Sequence, residues 1–201
     1  MLHELSRLMR NLCAGRSMSA EKSNHRVILI VGGVRSGKSR YALQLAANAQ
    51  RVTFIATAEA RDAEMAQRIA RHQQERPHHW ETVEAPIALP ETILASEGDF
   101  TLVDCLTLWA SNLMEHEEQN CERIHPHVDR LIQALQSASA TTVLVSNEVG
   151  SGIVPESEMG RSYRDVLGSI NQRVAAVADE VLLMVAGCPL VIKQAAETVP
   201  A

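Results

Sequence analysis

No apolar run in this chain is long enough to cross a bilayer, so stable membrane insertion is not expected. No cysteine pair has C-x-x-C spacing. Cys13, Cys105, Cys121 and Cys188 are scattered, which argues against a zinc site and against a disulfide framework. Cys105, at the end of an apolar run, reads as a small core residue. There is no basic excess either: the formal net charge is −5 over 201 residues, so nucleic acid is not the expected partner. Internal repeats and low-complexity segments are absent from the sequence. Residues 1–25 lack the uninterrupted apolar stretch of a secretory signal and read as a poorly ordered extension, with Met18 close to the start of the domain. Residues 26–201 then read as one domain, large enough to bury a sizeable core and cytoplasmic by default.

What is present is specific. Gly32-Gly33-Val34-Arg35-Ser36-Gly37-Lys38-Ser39 reads G-x-x-x-x-G-K-S and follows the apolar run Val27-Ile28-Leu29-Ile30-Val31. A buried strand entering this pattern is a phosphate-binding loop. Successive backbone N–H groups must turn inward around a polyphosphate, and glycines sit where a Cβ would block them. Lys38 brings a point charge to the β- and γ-oxygens. Ser39 offers a hydroxyl to Mg²⁺ and opens a helix whose N-terminus favours anions. The chain is expected to bind a nucleoside triphosphate.

Further strand-like runs occupy 52–56, 80–84, 100–104, 142–146, 181–185 and 190–193, with helical patterns over 38–49, 62–75, 86–96, 106–118, 122–138 and 158–178. This alternation predicts a P-loop, RecA-like α/β architecture: a mainly parallel sheet flanked by helices. Only Ala186-Gly187-Cys188-Pro189 separates the last two strands, too few residues for a parallel crossover, so they should form an antiparallel edge hairpin. Ligands of such sheets lie beyond the carboxyl ends of the strands. Thr57, Glu84, Asp104 and Asn147-Glu148 fall there. Asp104, closing an apolar run, is placed as the Mg²⁺-associated acid, although an acid there can also cap a helix.

Met65, Ile69 and His72 share one face of the helix over 62–75, with Arg68, Arg71 and Arg76 close by. A histidine among arginines can attack phosphorus and form a phosphoramidate, splitting one transfer into two easier steps. The guanidinium groups favour the neutral, nucleophilic imidazole and stabilise phosphoryl oxygens; the helix C-terminus pulls toward imidazolium. Any of the eight histidines could equally serve packing or the surface.

The blocks G-G-V-R-S-G-K-S-R, I-A-T-A, D-A-E-M-A-Q-R-I-A-R-H-Q-Q-E-R-P-H-H-W, V-D-C-L-T-L-W-A-S-N-L, S-N-E-V-G-S-G-I-V-P and N-Q-R-V-A-A-V-A-D-E-V occur in this order. Over about residues 26–193 the chain resembles the bifunctional adenosylcobinamide kinase / adenosylcobinamide-phosphate guanylyltransferase family of cobalamin synthesis. The resemblance implies two reactions at one site. ATP or GTP gives its γ-phosphoryl to the aminopropanol hydroxyl of adenosylcobinamide. A histidine then attacks the α-phosphorus of GTP, releases pyrophosphate, and passes GMP to adenosylcobinamide phosphate. That histidine falls on His72. The family's GTP-contacting segments fall on Gly32 to Ser39, on Ala56, Thr57 and Ala58, on Gln73, Gln74, Glu75 and Arg76, on Glu84 and on Asp104. Glu84 could accept from the ring N–H and amino group of guanine, which adenine cannot offer. The family also implies a homo-oligomer, for which Val174, Val177 and Ala178 could supply contacts if they do not face the core. No role transfers to residues 1–25 or to Asn147 through Gly152, whose glycines read as a mobile loop with Glu148 as a candidate for orienting the acceptor. The competing readings are a small P-loop kinase without nucleotidyl transfer and a nucleotide-gated binding protein.

Overall fold

The computed structural model describes residues 25–74 and 76–194. Glu75 and the extension up to residue 24 lie outside the described residues.

The first strand, β1 (Val27–Gly32), sends alternate side chains to opposite faces of the sheet. Val27 and Leu29 enter one buried cluster, while Ile28 and Ile30 enter the other. Both faces are covered, which is why the run reads as continuously apolar. The chain continues through α1 (Lys38–Ala46), β2 (Val52–Ala56), α2 (Ala63–Gln74), β3 (Glu81–Glu84) and α3 (Leu89–Ala95). Then follow β4 (Phe100–Asp104), α4 (Leu106–His116), α5 (Cys121–Ser137), β5 (Thr141–Val145), α6 (Glu158–Val177), β6 (Glu180–Val185) and β7 (Cys188–Gln194). The strands form one sheet in the order β3-β2-β4-β5-β1-β6-β7, parallel except for the β6–β7 hairpin. Helices α3 to α6 pack on one face and α1 on the other.

The mainly parallel sheet and its antiparallel edge are those expected from the sequence. Helices α1 to α4 are shorter than their hydropathy patterns suggest, whereas β1, β6 and β7 are longer. Trp80 lies before β3, where its buried side chain joins the α1-side cluster. Asp62 is outside α2 and accepts a hydrogen bond from Met65 N–H at 2.7 Å, starting the helix one residue late. The hairpin turns on Ala186 and Gly187 alone, both at positive φ (50° and 84°), so Val185 pairs with Cys188. Val174 and Ala178 are buried in the core, and Val177 packs against it. They do not offer a surface to a second copy.

Strand order decides where the chemistry gathers. β1 lies between β5 and β6, and β4 lies between β2 and β5, so parallel strands deliver their C-terminal residues to one edge. Behind that edge Trp109 is fully buried and donates from Nε1 to the Ile87 carbonyl at 3.0 Å. Its replacement by alanine leaves a large cavity and removes one of the two hydrogen bonds that the Ile87 carbonyl accepts. We expect Trp109→Ala to lower the unfolding free energy by about 3–5 kcal/mol in urea titrations.

Candidate active site

The glycine loop is shaped by steric limits. Gly32 has φ 154°, and a Cβ on it would lie 2.6 Å from the Met184 carbonyl oxygen and 2.8 Å from Ser36 Oγ. Gly37, at φ 98°, would bring a Cβ to 3.1 Å from the Gly187 Cα. Arg35 adopts the left-handed region (φ 57°), which turns the neighbouring N–H groups toward a common centre. The β6–β7 turn buttresses the loop, with Gly187 N–H donating to the Ser36 carbonyl at 2.9 Å. Lys38 is buried, and its ammonium donates to the carbonyls of Gly32 (2.9 Å) and Gly33 (2.7 Å). Two of its three N–H groups are thereby fixed, and the third is left for an anion. Burial pulls the Lys38 pKa below its ordinary 10.5, and the charge of Arg68 adds to that; Cys105 and Asp104 act the other way.

Three cavities meet at this loop. The largest, about 970 Å³, is lined by Val34 through Arg40, by Glu64, Gln67, Arg68, Arg71 and His72 of α2, by Asp104 and Asn147, and by Ala186 and Gly187. A narrower one, about 70 Å³, runs past Ala56, Ala58, Ile69, Gln73 and Arg76 to Thr82 and Glu84. Between α1 and β2 lies a third of about 10 Å³, bounded by Phe54 and Arg76. Ser39, His72 and Asp104 line all three. His72 Nδ1 is 3.9 Å from Asp104 Oδ2. Arg76 stacks on Phe54, 3.5 Å from the ring centroid. The Asp104 carboxyl is raised above its ordinary 3.8 by burial, against the opposing charges of His72, Arg76, Arg68 and Lys38.

Not every residue expected at the site reaches a cavity. Gly32 and Gly33 act through their carbonyls on Lys38. Gln74 is exposed and lines none of the three cavities. Thr57 is fully buried behind the site, and it lines none of the three cavities. Its hydroxyl donates to the Cys105 carbonyl (2.8 Å) and accepts from Cys105 N–H (2.9 Å), pinning the turn just after Asp104. Asn112 holds Thr57 in turn, donating to its carbonyl at 2.8 Å. Burial, with the Asp104 charge beside it, pushes the Cys105 thiol to about 11, so it stays protonated. Glu148 turns its carboxylate back onto the N–H groups of Gly150 (2.5 Å) and Ser151 (3.1 Å), away from the role of orienting an acceptor. Sequence reasoning missed Arg40, Glu64, Gln67 and the Ala186-Gly187 turn. The helical spacing of Glu64, Gln67, Arg68, Arg71 and His72 could have flagged the first wall. Nothing local announces that the turn reaches the phosphate loop.

Fold and loop together define a P-loop nucleotide-binding protein. Among solved structures, an ATPase of a bacterial type III secretion system aligns with a TM-score of 0.52 at 13% identity, over 79% of this chain and 50% of that one. That likeness concerns the fold alone. The family described as cobinamide kinase / cobinamide phosphate guanyltransferase matches residues 28–192, and the chain belongs to it. Similar proteins include the bifunctional adenosylcobalamin biosynthesis protein CobU of Escherichia coli, 43% identical over 83% of this chain and 99% of that protein. CobP of Pseudomonas aeruginosa is 44% identical over 82% of this chain and 96% of its own length. The chain is thus a transferase of a family that joins kinase and nucleotidyltransferase activities.

Two predictions follow from the geometry. Thr57→Val leaves the Cys105 N–H without its partner and its carbonyl with the Trp109 N–H alone, and should cost about 1–3 kcal/mol in chemical denaturation and weaken GTP binding by loosening Asp104. Asp104 titrates higher folded than unfolded, so above its ordinary 3.8 the native state holds the extra proton. Stability from this group therefore falls as pH rises through that window. Asp104→Asn should remove this decline from the stability–pH profile while abolishing turnover.

Proposed function

We propose that His72 is the nucleophile of guanylyl transfer and that phosphorylation and nucleotidyl transfer share this cavity system. The observation that carries the reading is the place of His72, where the phosphate loop's cavity joins the cleft ending at Glu84. A GTP with its triphosphate in the loop and its base toward Glu84 passes its α-phosphorus by that ring. Asp104, 3.9 Å from Nδ1, favours a proton there and leaves Nε2 to attack. The Nε2 lone pair forms the bond to the α-phosphorus. The bond from that phosphorus to the β-bridging oxygen breaks, and pyrophosphate leaves with the electron pair against Lys38 and the loop N–H groups. Asp104 balances the positive imidazole of the adduct. A phosphate oxygen of adenosylcobinamide phosphate then attacks, the N–P bond breaks, and the imidazole recovers its lone pair. Adenosylcobinamide-GDP results. In the kinase half, the acceptor hydroxyl attacks the γ-phosphorus of ATP or GTP and a nucleoside diphosphate leaves, the hydroxyl proton passing to solvent.

Mg²⁺ fits the donors at this wall, because the Ser39 hydroxyl and the Asp104 carboxylate are hard oxygens lining the same cavities. Both would hold it, and when bound it supplies positive charge to the phosphate oxygens. Arg68 and Arg71 share that duty as fixed cations. A homo-oligomer belongs to the same reading. In its support, the outer strand β7 exposes Leu190, Val191 and Ile192 on a free sheet edge.

Incubation with α-³²P-GTP and Mg²⁺ should leave acid-labile, alkali-stable label on the protein, absent from His72→Ala. That variant should keep at least part of the γ-phosphoryl transfer, whereas Lys38→Ala should impair both reactions. An unlabelled wild type points instead to an ordinary P-loop kinase with a structural His72.

A further inference from the structure

We propose that the β5–α6 connection and the first turns of α6 seat the phosphorylated acceptor, with Arg164 binding its phosphate and Ile153 and Val154 supporting its macrocycle. The inference rests on the two-step transfer described above, because it assigns the site of that transfer's second substrate.

Arg164 is the first ground. Its Nη1 is buried and has no hydrogen-bond partner, and among the described residues no hydrogen bond or ion pair is formed by this guanidinium. A buried cationic donor left without an acceptor is costly, and an incoming anion removes that cost. Its neighbour Arg161 donates to the carbonyls of Pro155 (3.1 Å) and Glu156 (2.6 Å), which are neutral, so its charge is not cancelled either. The acids nearby do not compensate. Glu156, Glu158 and Asp165 are exposed to water, and Glu148 is folded onto its own loop.

Location is the second. Helix α6 feeds β6, which runs parallel to β1, so the start of α6 lies at the carboxyl edge. Tyr163 donates to the Thr107 carbonyl (3.1 Å), and Thr107 Oγ1 accepts from Asn147 N–H (2.8 Å). Asn171, two turns beyond Arg164 on the same face, donates to the Asn147 carbonyl at 3.0 Å. Asn147 is a wall of the 970 Å³ cavity. Arg164 thus stands next to the nucleotide cavity without lining it. The nucleotide's own phosphates are already served by Lys38, Arg68 and Arg71.

The third is apolar exposure. Between β5 and the first turn of α6, Ile153 is 97%, Val154 60% and Met159 58% exposed. A cation early on the helix that this exposed aliphatic segment leads into, braced to a wall of the nucleotide cavity, suits a large, partly apolar molecule bearing one phosphate. A nucleotide or a small anion would use the cation but not the platform.

The test measures the Michaelis constants of the phosphorylated acceptor in transfer and of the unphosphorylated acceptor in the kinase reaction. Arg164→Gln should raise the first by about tenfold to a hundredfold, the loss of one charge-assisted contact, and the second by less than about threefold. Arg164→Lys should recover part of the loss. Ile153→Ser should raise both constants by similar factors. The pyrophosphate burst with GTP alone reports folding of each variant; if Arg164→Gln fails it, Arg164→Lys and Ile153→Ser decide. An unchanged constant for the phosphorylated acceptor in both Arg164 variants overturns the proposal, and so does an equal rise for the two acceptors. A wild type without any burst refutes the histidine intermediate instead, and Arg164 is then judged by the same constants from product formation.

Discussion

One carboxylate faces three cations and an imidazole at the centre of this protein. Burial raises the Asp104 pKa above its ordinary value, and the charges of His72, Arg76, Arg68 and Lys38 act the other way. Such a cluster is short of negative charge. A polyphosphate supplies what is missing, and removing water from the site strengthens each attraction. The rest of the structure can be understood as the means of holding these groups close together in the absence of that ligand.

The backbone does most of that holding. Lys38 is anchored by the carbonyls of Gly32 and Gly33, so its charge is fixed before a phosphate arrives. Asp104 is fixed less directly, through the paired hydrogen bonds of the Thr57 hydroxyl to Cys105 and through Asn112 behind Thr57. Helix α2 differs in kind. None of its residues is fully buried, and only Met65, Ile69 and His72 turn a partly covered face inward. The proposed nucleophile therefore rides on the lightly packed wall and the phosphate grip on the firm one. That division would suit the proposed role, in which the ring approaches phosphorus in one step and yields it in the next.

Much of this was legible in the sequence because the signals were local. G-x-x-x-x-G-K-S after an apolar run gives the loop, the connection after Val185 forces an antiparallel hairpin, and the spacing of Met65, Ile69 and His72 defines a helix face. The bracing contacts of Thr57 were not legible, for a physical reason. A threonine at a strand end can face a ligand or brace the neighbouring strand, and only the β2–β4 pairing decides between them. The Ala186-Gly187 turn reaches the phosphate loop because β6 lies beside β1, a fact of strand order that periodicity does not encode. Arg164 looks like an ordinary helix-surface cation until its buried Nη1 is seen to have no partner among the described residues. Glu148 looked available in the sequence, yet its carboxylate caps its own loop.

Acid-labile, alkali-stable label fits a lysine adduct as well as a histidine one, and Lys38 lies in the same cavity as His72. The most direct measurement is therefore peptide mapping by mass spectrometry of the protein quenched at alkaline pH after GTP and Mg²⁺. The account predicts a single GMP on the imidazole of His72, discharged when adenosylcobinamide phosphate is added. GMP on Lys38, or no adduct in a protein that still makes the transfer product, would contradict it.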